Sequence, residues 1–392
     1  MNKKNISKLS FGTVFAVAAV AFTTHCGAGF AAGTQEVVYY VSKGYWAVLM
    51  PILAFGILSV LYYVSAETAR LNKVYDYHGV IKHAYAPVGM IGATLFEIGV
   101  IATILAGTAA VIAGGGLVLN SAIGLGSESL VGTIVVAAII VMITIYGVKA
   151  VNTAASIMAT VIIAIIIIIA ILGIAVRSDV IAQQWNEKIL YATTPAIIWS
   201  AIIYGGFQSL AQVMVVSSTV DNFKSKRESK ALAIFCFILN ALMLLLVCFM
   251  LQGFMPTVKD NADAAALPTI YAVSQLKLVS GWGWIGTLYP ILYFLAAITT
   301  GVGLVFSFTK RLFPVIFKKM KSDKLKSAII AIGTIIICWI FAQLGLVNII
   351  KYAYKYIGVY CIFTLILPMS ILGIRNIKLK QKALEAAENS QE

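Results

Sequence analysis

Ten apolar stretches, each long enough to cross a hydrocarbon core of about 30 Å as a helix, recur along the chain at 9–41, 45–70, 85–118, 129–148, 153–176, 193–218, 231–252, 283–309, 326–346 and 352–374. Several exceed the roughly 20 residues a crossing needs, which predicts tilt or a break. Residues 253–282 interrupt the pattern with Pro256, Asp260, Asp263 and Pro268. A mildly amphipathic piece follows, Thr269 to Val279, so the segment reads as a long outer loop with a short helix near the membrane surface. The polar tail, 377–392, is expected to fray. Lys3, Lys4 and Lys8 ahead of the apolar run Leu9–Phe22 imitate a secretory signal. A cleaved signal gives way to a soluble chain; here apolar segments simply continue, and the run reads as the first half of a membrane helix.

Composition agrees. Of 392 residues, 61% are hydrophobic and 11% charged, against about 25% charged in a soluble domain. That balance excludes an ordinary soluble enzyme, a disordered chain and a disulfide scaffold. The formal net charge of +14 suggests nucleic acid in a soluble protein. Its placement argues otherwise. With the N-terminus inside, 22 of the 29 Lys and Arg residues fall in or beside 1–8, 71–84, 149–152, 219–230, 310–325 and the tail. This is the positive-inside distribution of ten spans with both termini cytoplasmic. The runs KSKR at 224–227 and KKMK at 318–321 are then inner loops near lipid headgroups, and nucleic-acid binding loses its support. Cys26, Cys236, Cys248, Cys338 and Cys361 all lie in apolar runs without metal or redox spacing, and read as small buried side chains.

Two spans carry helix-weakening signals. Span 1 contains Gly27, Gly29 and Gly33, flanked by His25, Gln35 and Glu36; span 6 contains Gly205-Gly206 between Tyr204 and Phe207-Gln208. Each glycine costs a helix about 1 kcal/mol relative to alanine. A broken backbone at membrane depth needs protein or a wet cavity to satisfy it. Glycines also serve close helix packing, but ionisable neighbours inside a span favour a site. The interrupted spans open two sets of five, so the halves are inverted, and paired breaks in that arrangement point to a transporter site between repeats. The expected organisation is an N-terminal segment 1–8, a first repeat 9–176, a second repeat 193–374 containing the outer loop 253–282, and a tail 375–392.

Other polar groups are candidates for that site. Glu97 in span 3 shares a helical face with Thr94, Ile101, Ile104 and Thr108, and an acid facing lipid costs at least about 2.5 kcal/mol. Placed near mid-depth, it is expected to meet a cationic substrate group, carry a proton or pair with His25. Glu36 is expected to line the entry path or to cap the second half of span 1. Glu67 beside Arg70 reads as a boundary ion pair, Tyr289 as an interfacial anchor, and Tyr293 as part of the pocket. The three histidines, His25, His78 and His83, lack metal-ligand spacing, and Gly114-Gly115-Gly116 lacks the strand and lysine of a phosphate loop. No catalytic constellation is visible, and no filter-like or charged ring suggests a channel.

The sequence Gly27-Ala28-Gly29-Phe30-Ala31 followed by Gln35-Glu36 resembles the opening signature of bacterial YkvI-type membrane proteins. These are relatives of the amino acid–polyamine–organocation superfamily, and the resemblance covers 9–374. It implies the five-plus-five inverted repeat of LeuT-type secondary transporters, all-α, with spans 1 and 6 broken and spans 1, 3, 6 and 8 around the substrate. It also implies a sodium site: Ala296-Ala297-Ile298-Thr299-Thr300 looks like the span-8 pattern that offers one carbonyl (Ala296) and two hydroxyls (Thr299, Thr300). The Thr23 and Cys26 carbonyls complete the set. Sodium, a hard cation, suits such oxygens, although threonines in helices also bond back to their own carbonyls. The span-5 lysine of proton-coupled relatives has no counterpart in 153–176, whereas His25 and Glu36 depart from the sodium-coupled members.

Together these readings predict a plasma-membrane secondary transporter of a small organic solute, an amino acid or related amine, coupled to sodium. Proton coupling through Glu97 is the runner-up, and a ligand sensor that moves nothing is the alternative. The solute site is drawn from His25, Gly27, Ala28, Gly29, Phe30, Glu36, Glu97, Ile101, Tyr204, Gly205, Gly206, Phe207, Gln208 and Tyr293. No cofactor is expected; the partners are the solute and membrane lipid, and the oligomeric state is left open.

Overall fold

The computed structural model describes residues 10–146, 148–276, 281–312, 316 and 322–389. The N-terminal lysines Lys3, Lys4 and Lys8 and the run 318–321 lie outside the described residues. The face carrying 71–84 and 219–230 is called inner below.

The first crossing is three short helices: α1 (Phe11–His25), α2 (Ala28–Ala32) and α3 (Thr34–Tyr39). Then follow α4 (Pro51–Asn72), α5 (Tyr77–Ala84) in the inner loop, α6 (Gly89–Ala122), α7 (Leu130–Tyr146), α8 (Val148–Val176) and α9 (Ser178–Asn186). The second half comprises α10 (Thr194–Thr219), α11 (Lys226–Asp260), the outer-loop helices α12 (Ala262–Ala266) and α13 (Pro268–Leu276), α14 (Ile285–Leu312) and α15 (Asp323–Ala342). The last helical stretch, α16 (Leu346–Ala387), contains three wide π turns. Seven of these helices are long and apolar enough to cross a membrane, the pair Thr160–Val176 and Ser178–Asn186 is bent by 65°, and Phe11–His25 and Leu130–Tyr146 are shorter apolar helices. They occupy the ten predicted positions.

Local chemistry sets several boundaries. Asp76 caps α5 by accepting from the Gly79 amide at 2.7 Å, and Ser225 with Glu228 forms a capping box at the start of α11. Three expectations are corrected. α11 runs through Pro256 to Asp260, so the outer loop starts later than residue 253. The expected piece 269–279 is helical from Pro268 to Leu276, with 277–279 outside the described residues, and a second short helix precedes it. The tail does not fray through its described part: Ile374–Asn389 is helical. It is tied down by Asn376 Nδ2, which donates to the Ala84 and Ala86 carbonyls at 2.9 and 3.0 Å. Gln381 Nε2 also donates to Glu67 Oε1 at 2.8 Å. The buried Glu67 pairs with Arg70 at 2.7 Å, as its spacing predicts. All five cysteines are free and buried.

Candidate functional site

The break in the first span falls at two glycines. Cys26 (ψ 41°) and an extended Gly27 end α1 and start α2, and Gly33 in the left-handed region (φ 81°) separates α2 from α3. Gly29, by contrast, is helical; its missing side chain makes room for that of Gln35. A start and an end of helix inside the protein leave amides and carbonyls without intrahelical partners, here around residues 23–30.

The second predicted break is absent. α10 is one continuous helix from Thr194 to Thr219. Its glycines serve packing instead. A β-carbon on Gly205 would meet the Ala54 carbonyl of α4 at 3.3 Å, and one on Gly206 would collide with the Gly358 carbonyl of α16. Gly358 in turn faces the Ile203 carbonyl. Two backbones in direct contact keep their own helical hydrogen bonds, which is the small-residue packing of membrane helices.

Side chains from both regions nonetheless converge. His25 Nε2 lies 2.8 Å from the Tyr204 hydroxyl. Gln208 Nε2 donates to that same oxygen at 3.2 Å and to Gln35 Oε1 at 3.3 Å. The Tyr204 hydroxyl, which both donates and accepts, thus joins His25 to the two glutamines. Nδ1 is 3.9 Å from Cys26 Sγ. Aromatic rings enclose this chain: Phe30 and Phe55 against His25 at 5.2 and 4.8 Å, and Tyr39 and Tyr40 against Tyr204 at 5.6 and 5.2 Å. Phe207 stacks on Tyr354 at 3.9 Å, bringing α16 into the wall. Tyr39, Tyr40, Phe55 and Tyr354 escape sequence reasoning, because aromatic residues are common throughout and nothing local marks these.

Besides the bond from Gln208 to Gln35, four more hydrogen bonds fasten the outer half of the first span. Thr34 Oγ1 donates to the Ala266 carbonyl at 2.6 Å, and Tyr39 Oη to the Ile350 carbonyl at 3.0 Å. The Tyr39 carbonyl accepts from Ser200 Oγ at 2.7 Å, and that of Ala31 from Tyr289 Oη at 2.6 Å. Tyr289 is therefore fully buried and not an interfacial anchor; α13 packs on its helix, α14. Tyr293 is also buried, its hydroxyl over Gly114. The glycine triplet thus packs α6 against its neighbours.

Glu36 sits in this half with no exposure, and neither carboxylate oxygen has a hydrogen-bond partner. An unpaired buried charge costs several kcal/mol, whereas an unsatisfied neutral group costs about 1–3 kcal/mol.

Glu97 is elsewhere. α6 begins at Gly89, so Glu97 lies two turns from its inner end. There Arg311 Nε donates to Glu97 Oε1 at 2.9 Å and the Tyr77 hydroxyl donates to Oε2 at 2.6 Å. Burial and the adjoining Glu97 carboxylate raise the pKa of the Tyr77 phenol. The carboxylate is matched by a guanidinium, not by His25 or an open site. Ile101, one turn further along α6, is half-buried.

The sodium pattern is divided in this conformation. α1 packs on α10 and α11, whereas α14 packs on α2, α6, α7 and α8 and has little contact with α1. Thr299 Oγ1 donates to the Ala296 carbonyl at 3.0 Å and Thr23 Oγ1 to that of Val20 at 3.0 Å. The residues carry oxygens of the right kind, but the hydroxyl of Thr299 is turned back onto its own helix.

No family model and no curated protein matches the chain. Solved structures do. MhsT in complex with L-phenylalanine superposes with a TM-score of 0.60 at 14% identity, over 97% of this chain and 99% of its own. The inward-facing conformation of Mhp1 gives 0.55 at 14%, over 88% and 75%. A Na+-coupled sialic acid symporter in a substrate-bound outward-open state gives 0.53 at 13%, over 93% and 78%. These likenesses establish the all-helical LeuT-type fold.

Proposed function

We propose that the chain is a secondary transporter that moves a small organic solute, an amino acid or related amine, by alternating access across the plasma membrane, with both termini cytoplasmic. One observation carries the reading: the first span is cut at mid-length beside a fully buried polar chain, His25–Tyr204–Gln208–Gln35; both pieces pack on α10 and α11, and the outer one adds contacts to α12, α13 and α14. A hinge at Gly27 lets each piece move alone. In this conformation the outer piece is sealed, while Thr24 on the inner piece is exposed and Thr23, Thr299 and Thr300 are half-exposed.

Carbonyls opened at the break suit an ammonium group. The Gln208 amide, the Tyr204 hydroxyl and the aromatic wall suit the rest of a small zwitterion. MhsT, similar in fold, is solved with L-phenylalanine, and the signature Gly27–Ala31 with Gln35-Glu36 keeps a YkvI-type assignment in view. Sodium at Thr23, Cys26, Ala296, Thr299 and Thr300 is the coupling ion favoured by the donor chemistry. The sialic acid symporter, similar in fold, is Na+-coupled. Binding requires α1 to approach α14. Glu97 is withdrawn as the proton carrier because Arg311 neutralises it.

Thermal melts of purified protein with a panel of L-amino acids and amines, with and without Na+, identify ligands, since a ligand at a hundredfold excess over Kd stabilises by about 2.7 kcal/mol. Proteoliposome counterflow with each stabilising compound tests movement. Binding without counterflow sinks the transporter reading and leaves a sensor; counterflow and uphill uptake that ignore sodium sink the coupling assignment.

A further inference from the structure

We propose that Glu36 is a proton-binding site coupled to opening of the outer half of the first span. The inference rests on the alternating-access reading above and deepens it by adding a proton to the ions that the cycle handles.

The carboxyl group is fully buried, and neither of its oxygens has a hydrogen-bond partner among the described residues. The titratable groups whose electrostatics involve it are Cys26 at the break, Tyr40 at the end of α3, Tyr204 on α10, Cys248 on α11 and Tyr289 on α14. All are neutral at physiological pH, and none supplies a positive charge. His25 points its Nε2 at Tyr204 instead. Cations on neighbouring segments are engaged elsewhere. Lys43, just past α3, sits near Lys351 and Lys355, and burial with those two like charges lowers its pKa. Lys259 at the end of α11 lies 4.4 Å over the Tyr191 ring. On the remaining packed elements, Asp263, Tyr271 and Tyr354 make no bond to Glu36 among the described residues. With full burial and no counter-charge beside it among the described residues, the protonated form is the one that fits.

The site is coupled to movement by its place in the chain. Glu36 lies between Thr34 and Tyr39, the residues whose side chains fasten α3 to Ala266 and Ile350. Freeing those bonds, together with the ones that Ser200 and Gln208 make to the Tyr39 carbonyl and to Gln35, takes Glu36 out of its enclosure together with α3. Water then reaches the carboxyl, which ionises at physiological pH like any solvated glutamate. Closure requires the proton back. Each opening and closing of the outer gate is thus linked to release and uptake of one proton at Oε1 or Oε2. This also explains why an acid tolerates a site with no ligand of its own: the proton is the ligand.

The test uses the full chain in lipid nanodiscs and proteoliposomes. Infrared spectra at neutral pH are expected to show the C=O stretch of a protonated carboxyl, shifted in D2O, present in the wild type and in Glu97→Gln but lost in the near-isosteric Glu36→Gln. Absence of the band from the wild type, or its survival in Glu36→Gln, overturns the proposal, and the wild-type spectrum decides even if the variant fails to fold. In proteoliposomes, with the L-amino acids that stabilise the protein as probes, net uptake by the wild type is expected to depend on a pH gradient and that by Glu36→Gln to lose the dependence. Retained pH dependence in this variant overturns the coupling. Wild-type protein that shows the infrared band but no counterflow with any probe refutes the transporter reading and leaves no cycle for the proton to serve.

Discussion

Replacing Gly33 by alanine separates a local backbone cost from a cost confined to the closed outer gate. Gly33 has φ 81°, and an L-residue there costs about 1–2 kcal/mol. That part persists for as long as α2 and α3 keep their kink, whichever way the gate stands. The second part depends on the gate. A β-carbon on Gly33 would lie 2.9 Å from the Thr269 amide nitrogen and 3.3 Å from Leu251 Cδ1, and would collide with Thr269 Oγ1. Overpacking against backbone costs about 1–3 kcal/mol, and it vanishes when α3 swings away from α13. Gly33→Ala is therefore expected to move the population toward an outer-open state by roughly 5- to 150-fold, the range corresponding to about 1–3 kcal/mol of coupling. Hydrogen–deuterium exchange of Ala262–Leu276 in nanodiscs reads this as faster exchange in α12 and α13, with a lower melting temperature. Gly56→Ala is the control: a β-carbon there meets nothing within 4 Å, and alanine favours the helix by about 1 kcal/mol. A folded Gly33→Ala protein whose outer-loop helices exchange at the wild-type rate would refute the argument that α13 closes onto this glycine.

Two further expectations concern the wall opposite the break. A double-mutant cycle of His25→Leu with Tyr204→Phe, read by denaturant unfolding, should return a coupling of about 0.6–1.7 kcal/mol, the span measured for polar contacts inside membranes; additivity within about 0.3 kcal/mol would mean the two side chains are not bonded. Gly206→Ala should destabilise by about 1–3 kcal/mol through overpacking and Gly205→Ala by less, since the first collides with the Gly358 carbonyl and the second only approaches that of Ala54 at 3.3 Å. The reverse order in thermal melts would show that the α10–α16 contact is misplaced.

The ten crossings are legible because each is an unbroken apolar length, a property every residue in it reports. The first break is legible because His25, Gln35 and Glu36 flank its glycines. Which glycine does the work is not, since Gly33 rather than Gly29 takes the left-handed turn for reasons that lie partly in Thr269, far along the chain. Gly205-Gly206 misleads for the same cause: a glycine pair unwinds a helix or admits a neighbour, and the deciding neighbour, Gly358, is remote in sequence. Glu97 is read as mid-depth because its apolar run begins early, whereas α6 starts only at Gly89 and Arg311 approaches from the end of α14. Tyr289, at a span end, looks like an anchor until α13 packs on its helix and its hydroxyl bonds the Ala31 carbonyl.

An uncut sixth crossing would give the proposed solute site two unlike walls. On one side the main chain itself is offered, and main chain is the same in every protein. On the other, α10 keeps its peptide groups to itself, and recognition falls to what projects from it at positions 204 and 208. Selectivity on that side can drift through single replacements without disturbing the scaffold, so members of such a lineage can diverge in what they accept while sharing one hinge.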